Sequence, residues 1–168
     1  MARVAIRFGL GTIVTTGIAA GIIFAVFEMF AAAIMMGVEA AFMPLSMIGA
    51  MVHGPAALDP PSEIAAMTGV IVHMILSVAF AGVFAATASA LATTAAGDLL
   101  STPRGLALAG MVFGTALWLV NFYIVAPMAG WTWFPEQSNP VVQFLAHAIF
   151  FGAPVGWMLG RSRADIRI

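Results

Sequence analysis

Four long apolar runs, divided by short polar or proline-containing stretches, constrain this chain more than any other feature of its sequence. A run of about 20 residues, rising about 1.5 Å per residue as a helix, matches a hydrocarbon core of roughly 30 Å. The rest of the composition agrees. Of 168 residues, 62% are hydrophobic and 8% charged, where soluble domains carry about 25% charged. The predicted fold is therefore all-α: one integral membrane domain, residues 1–168, built as a bundle of four transmembrane helices. The spans run from about Phe8 to Met36, Ile64 to Leu91, Gly105 to Val125 and Pro140 to Leu159. Arg3 and Arg7 ahead of an apolar stretch resemble a signal peptide, but the run continues well beyond Ala20, so it is read as a retained first helix.

The connections carry their own signals. Gly37 and Glu39 mark the outer end of the first span, and Pro44 opens a short amphipathic helix, about 44–53, expected to lie along the interface. Ser62 is a predicted N-cap with Glu63 in the first turn. Pro127 ends the third span, and Trp131, Trp133 and Phe134 suit a headgroup layer. Orientation follows from the basic residues, which gather on cytoplasmic flanks. Arg3, Arg7, Arg104, Arg161, Arg163 and Arg167 all fall on one side of a four-span arrangement, while Glu39, Asp59, Glu63 and Glu136 fall on the other. A multi-pass protein of the bacterial inner membrane with both termini in the cytoplasm is expected.

Lipid tails are as apolar as leucine, so helices in a membrane associate through close contact at small residues. Predicted seams are Gly17, Gly21 and Ala25 on the first span, Ser77 to Ser89 at every fourth residue on the second, Gly110 and Gly114 on the third, and Gly152, Gly156 and Gly160 on the fourth. Ala20 to Phe24 resembles Ala109 to Phe113, and the second and fourth spans each carry a histidine, which suggests two repeated helical hairpins. Pro154 predicts a kink.

Polar groups inside an apolar span are costly and mark candidate sites. Glu28, His73, Asn121, Gln143 and His147 come from four spans yet fall at roughly one depth by helical rise. Three readings stand side by side. The layer is a structural hydrogen-bond network; or His73 and His147, with or without Glu28, ligate haem b or a metal ion; or Glu and His relay protons or a small solute. The pattern demands no cofactor. On a straight helix His147 points roughly 140 to 180° from the Gly152 seam, so the fourth span would use two faces, one of them meeting another subunit. His53 is read as a solvated residue, and the twelve methionines as gap-filling packing.

The pattern of Gly17 to Gly21, His73 followed by small residues, Gly110 to Gly114 with Pro127, and His147 before Phe151, Gly152 and Gly156 resembles the small bacterial four-helix inner-membrane proteins of unknown function related to YagU. That likeness implies fold and location and brings no activity or site residues. With no cysteine, thiol chemistry is excluded, and a net charge of −1 carries no nucleic-acid signal. No catalytic nucleophile with an orienting base is recognisable. The expected role is that of a small non-catalytic subunit in structure or assembly, in contact with lipids and with a second copy or a larger membrane complex. The expected contact surfaces are the outer aromatic loop from Trp131 to Pro140, with Trp131 and Trp133, and the fourth-span glycines. A haem- or metal-binding electron-transfer subunit and a small-solute or proton transporter are the alternatives.

Overall fold

The computed structural model describes residues 4–162 and 164–167; Arg3 and Arg163, used above for orientation, lie outside them. Four helices are long and apolar enough to cross a membrane: α1 (Leu10–Met36), α3 (Glu63–Leu91), α4 (Pro103–Met128) and α5 (Pro140–Ser162). A shorter helix, α2 (Met43–His53), sits between the first two. Their boundaries follow local chemistry. Gly37, at φ 104°, adopts a conformation that L side chains avoid and closes α1, its N–H bonding to the Ala33 carbonyl at 3.1 Å. Ser62 caps α3 as predicted, and Thr102 and Asn139 cap α4 and α5, each ahead of a proline in the first helical turn.

The predicted glycine seams meet one another. A methyl group at Gly17 would lie 2.6 Å from the Val78 Cα, and one at Gly21 would collide with the Ser77 side chain, so α1 and α3 touch at the backbone. On the other side of the bundle, Gly110 faces the Gly152 carbonyl, Gly114 that of His147, Gly156 that of Leu106, and Gly160 meets Pro103. These pairings run antiparallel along the whole contact of α4 with α5. Aromatic contacts join the hairpins: Phe27 stacks on Phe150 with ring centroids 3.8 Å apart, and Phe24 packs beside Phe151. The outward faces stay apolar, with Ile22, Val26, Phe30, Ile71, Ile75 and Val112 among the exposed side chains.

Three features depart from the sequence expectations. First, α2 packs along α3 as a helical hairpin: Gly49 meets the Ala65 carbonyl and Gly69 the Leu45 carbonyl, while His53 Nε2 lies 2.8 Å from the Thr68 hydroxyl. Its small-residue face is thus turned to protein. Second, the all-α fold carries one short strand pair that the pattern did not signal. Strands β1 (Val4–Arg7) and β2 (Ala164–Arg167) pair antiparallel, with Val4 opposite Arg167 and Arg7 opposite Ala164. Ile6 joins a core with Ala92, Leu100 and Leu159 at that same end. Arg7, Arg104 and Arg161 flank this end, and Glu39, Asp59, Glu63 and Glu136 flank the other.

Third, the prolines within the outer part of α4 and the middle of α5 follow widened turns, and α4 runs one residue past Pro127. A wide π turn, Asn121–Val125, precedes Pro127, and another, Ala146–Gly152, precedes Pro154, each finishing two residues before the ring. Proline has no N–H and its ring crowds the carbonyl four residues back, so an extra residue in the preceding turn relieves both problems. Helix α4 consequently continues to Met128, past the boundary predicted at Val125.

Candidate functional site

A cavity of about 540 Å³ opens in the half of the bundle that ends in the acidic loops. All five helices and the segment after α4 contribute to its wall. Most of that wall is apolar, with Met35, Met47, Met51, Phe80 and Trp131 among the lining side chains. The five polar residues predicted to share a layer all border it: Glu28 from α1, His73 from α3, Asn121 from α4, and Gln143 and His147 from α5. Its rim includes Gln137 and Asn139, both exposed.

Each polar group is held by a specific contact. The Gln143 side-chain amide donates to Glu28 Oε1 at 2.6 Å, linking α5 to α1. His73 Nε2 donates to the Gly21 carbonyl at 2.9 Å, which is within reach because the missing side chain at Gly21 lets α1 approach α3. His147 Nδ1 donates to the Gln143 carbonyl one turn earlier, at 2.8 Å. Phe24 lies against both imidazoles, its centroid 5.0 Å from that of His73 and 4.8 Å from that of His147, and Phe122 meets His147 edge-on. Asn121 and Ser77 border the cavity with no hydrogen bond from their side chains to the described residues.

The π turn in α5 corrects the straight-helix geometry. His147 and Gly152 are both within it, five residues apart, which is close to one turn of the wider helix. Both backbones therefore face α4, at Gly114 and Gly110, while the His147 ring reaches Phe24 and the cavity. A single bundle satisfies both faces, so this geometry no longer calls for an adjoining subunit at this helix. Some of the other expected contact residues are internal. Gly152, Gly156 and Gly160 are covered by α4. Trp133, 6% exposed, donates its Nε1–H to the Met47 carbonyl at 3.2 Å, and Trp131 lines the cavity.

Among the described residues, no three His, Asp or Glu side chains gather with metal-ligating spacing. Glu28, His73 and His147 share a wall without forming a cluster, and a haem held by both imidazoles would have to displace the Phe24 ring that touches each of them. The methionines read as packing are partly cavity lining, a role their scattered positions did not signal. The signal that existed was the spacing of Pro127 and Pro154 behind Asn121 and His147.

The Glu28–Gln143 bond makes a modest, testable contribution. Gln143→Leu leaves a buried carboxyl without its partner and is expected to lower stability by about 1–2 kcal/mol, read from denaturation in mild detergent. Glu28→Leu with Gln143→Leu should recover part of that loss, since no polar group is then stranded.

Comparison of the chain with protein-family models, with curated proteins and with solved structures gives no match.

Proposed function

We propose that this chain is a four-span protein of the bacterial inner membrane, with both termini cytoplasmic, that binds a small, largely apolar molecule in the cavity of its outer half. The carrying observation is the cavity bordered by Glu28, His73, Asn121, Gln143 and His147. An apolar volume of about 540 Å³ with a few convergent polar groups has the size and character of small-molecule sites. Membrane insertion is supported by the outward apolar faces, which would be a liability in water. The gathering of Arg7, Arg104 and Arg161 at one end supports the orientation, because cytoplasmic flanks collect arginine. Gly17 and Gly21 against Ser77, and Gly110 and Gly114 against the Gly152 and His147 carbonyls, are consistent with two hairpins of common plan.

The binding role is preferred to the accessory-subunit role because the fourth-span glycines and Trp133 are covered within the chain while the cavity is open. The test is native mass spectrometry of gently extracted protein beside an Ala31→Phe variant. Ala31 is half-buried on the cavity wall, so the new ring fills space without breaking a backbone contact. Wild type should retain a small molecule of a few hundred daltons that A31F loses while staying folded. A bare wild-type chain would sink the proposal, as would equal retention by both.

A further inference from the structure

The hydrogen bonds of the two imidazoles restrict what the cavity accepts. A carbonyl oxygen can only accept, so His147 Nδ1, facing the Gln143 carbonyl, and His73 Nε2, facing the Gly21 carbonyl, each carry the ring hydrogen. In a neutral imidazole the second nitrogen is then a bare lone pair. His147 Nε2 and His73 Nδ1 are both in this state and have no hydrogen-bond partner among the described residues. Both rings border the cavity, and the two residues are only 7% and 5% exposed. Neither nitrogen is sealed in by protein, so each is open to the contents of the cavity, where a bound donor can pair with it.

The neighbouring groups sharpen the demand. Glu28 Oε1 already accepts from Gln143, and Oε2 has no hydrogen-bond partner among the described residues. Ser77 and Asn121 carry donors as well as acceptors and fit either kind of group; the neutral imidazoles fit donors alone. Phe24 and Phe122 pack on His147, and Met35, Met47 and Met51 line the cavity. Aromatic faces and thioether sulfurs favour a flat, polarisable ring. An ammonium would meet the same acceptors but would bring a full charge into a mostly apolar space.

We infer that the occupant is a phenolic amphiphile whose hydroxyl donates to His147 Nε2, with its ring against Phe24 and Phe122 and its apolar tail among the methionines of α1 and α2. This rests on the binding role proposed above. It is tested with three probes of one shape: a decyl hydroquinone, its dimethyl ether and the corresponding benzoquinone. Only the first donates a hydrogen bond. Binding is measured by calorimetry on the purified full chain in lipid nanodiscs.

The wild-type protein is expected to bind the hydroquinone at least about tenfold more tightly than either other probe. In His147→Phe the ratio of hydroquinone to ether affinity should shrink to about twofold or less. His147→Leu, which also lacks an acceptor, should lose the preference likewise and serves if the phenylalanine variant does not fold. Equal binding of all three probes, or tighter binding of the quinone, overturns the donor requirement and leaves the binding role standing. A preference that survives both substitutions overturns the assignment to His147. If no probe binds and native mass spectrometry finds a bare chain, both the inference and the binding role fail; if no probe binds while a non-phenolic molecule is retained, the inference alone fails.

Discussion

Gly110→Ala is expected to lower stability by about 3 kcal/mol or more, an effect far beyond what one added methyl does on an open helix face. The methyl would be driven into the Gly152 carbonyl, a rigid backbone group, where no side-chain rotation offers relief. Helices α4 and α5 would have to separate, and the contacts at Gly114, Gly156 and Gly160 lie on that same seam. Gly82→Ala is the matched control. Its methyl would come no nearer than 3.8 Å to Ile13 Cγ2, so only the helical preference of alanine acts, a gain of about 0.5–1 kcal/mol. Denaturation of both variants in mixed micelles, followed by circular dichroism, distinguishes the two. Similar behaviour of the pair would mean that α4 and α5 are not in backbone contact.

Trp133→Ala should cost about 3–5 kcal/mol, the usual range for removing a buried large aromatic side chain. The indole packs with Met47 and Ala50, and its N–H bonds to the Met47 carbonyl, so it fastens α2 to the segment that follows α4. Trp133→Phe keeps most of the packing and loses the bond, for a cost of about 1 kcal/mol. Because Met43, Met47 and Met51 of α2 line the cavity, the alanine variant should also release the bound molecule, whereas the phenylalanine variant should keep it. Thermal unfolding and ligand retention measured on the same preparations separate these outcomes. A small loss of stability in Trp133→Ala would show that α2 is held by its contact with α3 alone.

The order of the helices, their approximate limits and their seams were legible because each depends on local pattern. Run length, the N-cap at Ser62 and glycine every fourth residue are written in consecutive residues. The shared depth of Glu28, His73, Asn121, Gln143 and His147 was legible for the same reason, since helical rise is constant. Direction was harder to read. The position of His147 around α5 depends on one extra residue per turn, and nothing short of the Pro127 and Pro154 pairing hints at a π turn. The inward placement of Trp133 was hidden by a different ambiguity: an aromatic side chain serves a partner's surface and a chain's own interior equally well. Phe24, which touches both imidazoles, is one of thirteen phenylalanines and carries no mark of its own in the sequence.

The most direct test of the central claim uses the absence of cysteine from the chain. A single thiol introduced at Asn121→Cys on the cavity wall is exposed to a small uncharged maleimide in native membranes, beside Ala95→Cys in an exposed loop. A cavity that admits small molecules predicts labelling at both positions, with Ala31→Phe sharply slowing the reaction at 121 and leaving that at 95 unchanged. A thiol at 121 that resists the reagent while position 95 reacts, or one that Ala31→Phe does not protect, would contradict the account.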